Sequence, residues 1–464
     1  MNRSARLVLI SIVSVAACGP SHGVGHTDGG GSGTNTDGDG GIITPPPTGS
    51  IAGVVWAPGN AIGKVPAGYE IPVAGAMVYI ADTAPAPIPD GVYCDRCETP
   101  PFGYALSDTK GHFVLAHATP GKHRLVIDKA QFRLETMIDV PADSGLTLTA
   151  EQTTLPSVHD PKNGQFVPRV AIAVGDSDHI EDILAKMGII DLDSDGRALE
   201  GGFKKTDRVE LWGNPTDPPF TAVQKGSITD LFNDLNKMKR YHIIFVPCNY
   251  YSDVTPLQKA SVRKNIQDYV AAGGKLYVTD WSAEWEDAAF PDFIVFDAST
   301  DTTAAMVSSG NINNGDGDFG GFTHGKVMDT QMSTWLNGQV APQVVPAGGE
   351  DEDWPATYSD GMATDANDFL IEGSWSLIRS LPPVKIGTDD MGKPIMNTAK
   401  TWIQGDYMGA IYPRTVTFEP SCGRVMYSTY HTAQKTHEYL VPQERVLLYL
   451  IMEIGVCNDG PIVL

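Results

Sequence analysis

The sequence predicts two folded regions of different class: a small antiparallel β-sandwich, then a larger α/β region built on a parallel sheet and carrying a long irregular insertion. Three observations predict it. From Ser50 the chain runs in short alternating apolar stretches divided by Pro and Gly turns, the period of half-buried strands. From Arg169 that pattern gives way to apolar strands alternating with amphipathic stretches, as in parallel strands joined by helical crossovers. The chain has 464 residues, enough for two or three domains at roughly 100–200 residues each.

The first 49 residues belong to neither region. Arg3 and Arg6 precede an apolar run over 7–15 that only Ser11 and Ser14 interrupt. That is a charged segment and a hydrophobic segment, far short of the roughly 20 residues that span a bilayer. Ala16 and Ala17 then lead directly to Cys18. This order resembles the lipobox of bacterial lipoproteins. The resemblance implies a signal peptide over 1–17, acylation of Cys18, and a protein held on the membrane by its acyl chains, each buried methylene contributing about 0.8 kcal/mol. Gly19, rather than Asp, after the cysteine implies the outer membrane, with the protein facing the periplasm or the cell surface. The other reading is an ordinary secretory signal cut near Ala17. Residues 18–49 hold almost nothing that enters a core and close on Pro45-Pro46-Pro47. They read as a flexible tether with a root-mean-square span of about 30 Å. His22 and His26 within it read as solvated side chains.

In the region 50–157, strands are expected at 51–56, 76–80, 112–115, 122–127 and 136–140. Gly53, the phrase Val73-Ala74-Gly75-Ala76-Met77-Val78-Tyr79, then Ser107-Asp108-Thr109-Lys110-Gly111-His112-Phe113 and Pro120-Gly121 resemble the carboxypeptidase regulatory-like, transthyretin-type β-sandwich. That resemblance implies a module without catalytic residues. Asp108 and Gly111 also read simply as hairpin-turn residues. An insertion over 84–102 carries Cys94-Asp95-Arg96-Cys97. Such a pair is half a zinc site, a redox pair or a local disulfide. No second pair completes a zinc site, and the setting is a Pro-rich loop rather than a helix start. Outside the cytoplasm, a Cys94–Cys97 disulfide stiffening the loop is the expectation.

After a linker over 157–165, the region 166–464 places strands at 169–174, 209–212, 242–247 and 275–280. Helices follow at 180–187, 228–238 and 256–272, the last stopped by Gly273-Gly274. A hairpin over 415–419 and 423–431 and a helix over 443–454 close the chain around a flavodoxin-like core, and the insertion covers about 288–400. Open α/β sheets bind ligands at the carboxyl ends of their strands. Asp176, Asp178, Cys248, Asn249, Asp280 to Glu284, Tyr430 and His431 fall there.

Three phrases are similar to the class I glutamine-amidotransferase-like superfamily. They begin at Tyr241-His242-Ile243-Ile244 and run to Cys248, at Tyr269 and run through Gly273-Gly274-Lys275 to Val278, and at Gly423-Arg424-Val425 and run to His431. The likeness implies a nucleophilic cysteine on a tight elbow after the strand at 275–278. Here that elbow reads Thr279-Asp280-Trp281-Ser282-Ala283-Glu284, with neither Cys nor Gly. His431 matches the superfamily's terminal histidine, and Ala433 stands where it has Glu. The expectation is a degenerate, non-catalytic domain. The alternative is a membrane-tethered hydrolase or amidase using Cys248 and His431, or the carboxylates of Asp280 and Glu284.

Asp191, Asp193 and Asp195 alternate around Gly196 as in calcium loops, with Glu200 two residues short of the usual bidentate position. A structural calcium is the one cofactor this sequence offers, and the same phrase is also a common solvated turn. Of six cysteines, the lipobox resemblance gives Cys18 to lipid; a Cys94–Cys97 bond is expected, Cys422 and Cys457 either pair or stay apart, and Cys248 is left free. Lys and Arg number 33 against 56 Asp and Glu, a net charge of −23, which argues against a nucleic-acid partner. The resulting expectation is a lipid-anchored module that binds an envelope or surface protein, or a glycan.

Overall fold

Short strands and tight turns build the first region. The computed structural model describes residues 48–59, 70–95, 103–175, 177–214, 219–249, 254–313, 321–338, 368–432, 440 and 442–454. Strands β1 (Ile51–Val54), β2 (Met77–Ala81), β3 (Ala105–Leu106), β4 (His112–Leu115), β5 (Gly121–Lys129), β6 (Phe132–Val140) and β7 (Leu146–Thr147) are followed by α1 (Ala150–Thr153) and β8 (Gln165–Phe166). They form two sheets, in the orders β4-β1-β7 and β3-β2-β5-β6-β8. Ile51, Val78, Phe113, Leu125 and Ile127 are buried in one shared cluster. Asp108 is the turn residue expected of it: its Oδ1 accepts the N–H groups of Lys110 and His112, each at 2.8 Å. Gly111 beside it has φ +78, and a Cβ there would meet Val55 O at 2.6 Å, so only glycine fits this turn.

The second region is a mixed α/β fold. Its first half comprises β9 (Val170–Val174), α2 (Ile180–Lys186), α3 (Glu200–Phe203), β10 (Val209–Gly213), β11 (Gln224–Ser227), α4 (Ile228–Phe232), α5 (Leu235–Met238), β12 (Ile243–Val246), α6 (Ala260–Ala271), β13 (Lys275–Thr279) and α7 (Glu284–Asp287). Then come β14 (Val295–Phe296), α8 (Ala304–Ser309), β15 (Gly321–Val327), α9 (Thr330–Gly338), β16 (Asp368–Ser374), β17 (Ile378–Ser380), β18 (Val384–Thr388) and β19 (Pro394–Asn397). The chain closes with β20 (Lys400–Tyr407), β21 (Ala410–Phe418), β22 (Arg424–Ser428) and α10 (Pro442–Ile454).

One ten-stranded sheet runs β11-β10-β9-β12-β13-β22-β21-β20-β15-β16. Neighbours from β11 to β22 are parallel, and from β22 to β16 antiparallel. Every residue of β9, β10, β12 and β13 is buried, as strands covered on both faces must be. The core is continuous with that of the sandwich: Ile51 and Leu125 share a cluster with Ile172, Val446 and Leu450. Across the same junction Lys129 Nζ lies 2.6 Å from Glu453 Oε1 on α10.

Several expectations are corrected. The insertion over 288–400 is not irregular throughout, because β15 and β16 extend the main sheet and β14 and β17 pair with each other. The helix expected over 228–238 is two short helices, since Asp234 starts a new one by accepting the N–H groups of Asn236 and Lys237. The helix expected from 256 begins at Ala260.

The cysteine pairing also differs. Cys94 is bonded to Cys422, with Cα atoms 5.6 Å apart, so neither Cys94–Cys97 nor Cys422–Cys457 forms. The physical reason is the course of the loop after β2. Its described part, over 82–95, lies along the amino ends of β10 and β12. There Pro89 O faces His242 Nε2 at 2.8 Å, Asp90 meets Arg208 Nη1 at 2.5 Å, and Val92 N–H donates to Lys239 O at 2.9 Å. That course delivers Cys94 to the turn between β21 and β22, where Cys422 sits. Cys18, Cys97 and Cys457 lie outside the described residues.

Candidate functional site

Parallel strands leave their carboxyl ends on one edge, and five chain segments meet there. Asp178 follows β9, Cys248 follows β12, Thr279 ends β13 with Asp280 next, and His431 and Thr432 follow β22. The end of β16 brings Gly373 to Ser376 from the antiparallel half.

Asp280 is the first residue past β13 and opens the turn that leads into α7. Its φ is +42, a left-handed backbone uncommon for any residue but glycine and costing on the order of 1 kcal/mol or more. Tyr427 OH donates to its carbonyl at 2.9 Å. Its Oδ1 accepts Trp375 N–H and Ser376 Oγ–H, both at 3.0 Å. Its Oδ2 faces inward, 3.9 Å from Cys248 Sγ and 3.9 Å from His431 Nε2. Among the described residues, Cys248, Asp280 and His431 form the one group of three or more Cys, His, Asp or Glu side chains whose donor atoms converge within 4.8 Å. All three are at most 1% exposed.

The surroundings hold each member in place. His431 Nδ1 lies 2.8 Å from Thr432 O, and because a carbonyl only accepts, Nδ1 carries the proton and Nε2 the lone pair. Gly373, with φ +66, lies against that ring, and a Cβ there would sit 2.2 Å from His431 Cε1. Cys248 N–H donates to Thr279 Oγ1 at 2.8 Å, and Thr279 Oγ1 donates to Asp178 Oδ2 at 2.5 Å. Asp178 Oδ1 accepts Thr432 N–H at 2.9 Å and Thr432 Oγ1–H at 2.6 Å. Asp178 thus ties the turn after β13 to the segment that carries His431.

Burial sets the electrostatics. It pushes the Cys248 thiol up, helped by the charges of Asp280 and Asp178. It lifts the Asp280 carboxyl well above the usual carboxylate range, against the lowering effect of Ser376 and Trp375. It pushes His431 down, opposed by Asp178 and Thr432 O. A thiol and an imidazole that are both neutral do not make the thiolate–imidazolium pair of a cysteine nucleophile.

The remaining candidates lie elsewhere. Glu284 is fully buried at the start of α7 and is not one of the converging three. Asp176 lies outside the described residues. In the proposed calcium loop, Asp193 Oδ1 accepts the N–H groups of Asp195 and Arg197, each at 2.9 Å. Asp191 meets Lys205 Nζ at 2.5 Å, Glu200 meets Lys204 Nζ at 2.7 Å, and Asp195 accepts Ser194 Oγ–H at 3.2 Å. Those four carboxylates are turned to a turn and to separate lysines. Sequence reasoning missed Gly373, Trp375, Ser376 and Thr432. The small, polar phrase Gly373-Ser374-Trp375-Ser376 after the apolar Phe369-Leu370-Ile371 was the available signal for the first three.

No family model matches this chain, and no curated protein matches it. A solved structure of a ThuA-like protein from Parabacteroides merdae ATCC 43184 is similar to it at 10% sequence identity and a TM-score of 0.28, covering 63% of this chain and 93% of its own. A likeness at that score carries no argument about fold or chemistry. Among the described residues, no helix is long and apolar enough to cross a membrane.

Proposed function

We propose that this chain is an extracytoplasmic lipoprotein, anchored in the outer membrane through acyl chains on Cys18, that binds a protein or glycan partner without turning it over. In this reading 1–17 are a signal peptide, 18–49 a tether and 50–157 a carboxypeptidase regulatory-like sandwich. Residues 166–464 are a flavodoxin-like domain of the class I glutamine-amidotransferase-like kind that lacks its nucleophile. The net charge of −23 speaks against nucleic acid as the partner.

Residue 280 carries the reading. The left-handed turn after β13 is where the resemblance implies an exposed nucleophilic cysteine. Here it presents an aspartate that is 0% exposed, with one oxygen held by Trp375 and Ser376. The nearby thiol, Cys248, stands one strand away and is 1% exposed. The purified protein is expected to hydrolyse a panel of amide and ester substrates no faster than its Cys248→Ala variant. Turnover that Cys248→Ala abolishes would overturn the proposal. It would favour the second reading, a membrane-tethered hydrolase or amidase using Cys248 and His431, whose support is the convergence of the three side chains within 4.8 Å.

A further inference from the structure

We propose that Cys248 Sγ, Asp280 Oδ2 and His431 Nε2 are three ligands of a divalent metal ion of the zinc class. This goes beyond the binding reading and does not depend on it.

Hydrogen bonds fix which atoms of these side chains face one another. The Nδ1–H···O bond to Thr432, at 2.8 Å, leaves the lone pair of the His431 ring on Nε2. The bonds from Trp375 and Ser376 to Oδ1 leave Oδ2 of Asp280 on the inner side. Nε2 and Oδ2 face one another across 3.9 Å, too far apart for a direct hydrogen bond, on side chains that are at most 1% exposed. Cys248 Sγ–H donates to the same oxygen across a long 3.9 Å, so all three donor atoms converge on one space within 4.8 Å of one another. A cation at the centre of the three replaces the thiol proton and these long contacts with direct bonds to all three atoms. Its thiolate and carboxylate ligands balance a divalent charge, which removes the cost of burying either one alone.

The donor set selects the class of metal. Thiolate and imidazole favour zinc and its late first-row neighbours, whereas calcium and magnesium take oxygen shells. Bonds of about 2.0–2.3 Å to a tetrahedral centre require the two gaps of 3.9 Å to close by roughly half an ångström and the third, between Sγ and Nε2 and within 4.8 Å, by up to about an ångström, within the reach of side-chain rotation. Three protein ligands leave one position of the tetrahedron to a water or a ligand. The supporting shell is the kind such sites use. A backbone carbonyl holds the far nitrogen of the histidine, hydrogen-bond donors hold the second carboxylate oxygen, and Gly373 fixes the ring from behind.

The test uses the full chain, stripped with a chelator and then titrated with cobalt(II), and in parallel refolded in its presence. The expected result is one cobalt per chain, a thiolate-to-cobalt charge-transfer band in the near ultraviolet, displacement by zinc, and a higher melting temperature with metal. Cys248→Ser removes the band. Asp280→Asn, which keeps the shape of the side chain, and His431→Gln each weaken affinity by about tenfold or more. Near-ultraviolet circular dichroism identifies the variants that retain native packing. If natively packed wild type takes up no cobalt by either route, a proton rather than a metal occupies the cluster and the proposal fails. It also fails if the band survives Cys248→Ser, or if natively packed Asp280→Asn binds as tightly as wild type.

Discussion

His242 illustrates how completely burial and two hydrogen bonds fix the state of one side chain. It is 3% exposed, its Nδ1 accepts Arg169 N–H at 2.8 Å and its Nε2–H donates to Pro89 O at 2.8 Å. Protonating Nδ1 would break the first of these bonds. Burial, together with the charges of Lys275 and Arg208 and against that of Asp90, pushes its pKa down from 6.5 to about 4. A folded value below the unfolded one means that the unfolded chain binds the extra proton. This group therefore leaves stability intact above pH 6.5 and erodes it as pH falls toward about 4, by on the order of 3 kcal/mol in all. Denaturant unfolding from pH 7 to pH 4 is expected to show a flatter pH dependence for His242→Gln than for wild type; equal slopes would contradict the assignment. At this scale the sequence was readable where a residue's place follows from its own strand. The strand pattern alone puts Cys248, Asp280 and His431 at strand ends. Trp375 and Ser376 were not readable, because their role comes from a segment about 95 positions further on that folds back over Asp280.

Among the elements, the parallel strands were legible because each is buried on both faces and its centre is apolar: Val170–Val174, Ile243–Val246 and Lys275–Thr279 appear within two residues of their expected bounds. The strands of the insertion were not. Those of β15 and β16 are broken by glycine and polar residues such as Gly321, Gly325 and Gly373, and they are defined by pairing with β20 and with each other. The loop after β2 was misread for a related reason. Its local Cys-x-x-Cys spacing was legible, but its path is set by contacts with His242, Arg208 and Lys239, more than 100 positions away. The disulfide it reaches joins positions 328 apart. Restricting a loop of that length in the unfolded chain contributes about 2–5 kcal/mol. Cys94→Ser and Cys422→Ser are expected to lose that much by equilibrium denaturation, and wild type to lose a similar amount under reductant. Non-reducing peptide mapping checks the pairing directly: a peptide linking Cys94 to Cys97 would contradict it.

Taken whole, the described chain has two working edges. The amino ends of the parallel strands are strapped by the loop from the sandwich and its disulfide. The carboxyl ends converge on Cys248, Asp280 and His431. One hydrophobic cluster runs from the sandwich through α2 and α10 into the sheet, so the sandwich is packed onto the α/β region as well as linked to it. The proposed anchor and tether would present this assembly at a membrane. The turn after β13 then holds a sealed cluster rather than an open elbow. Native labelling with iodoacetamide, read by peptide mass spectrometry, tests it most directly. Cys248 is expected to stay unmodified in the folded chain and to be alkylated once the chain is denatured. Stoichiometric alkylation of Cys248 in the native protein would contradict it.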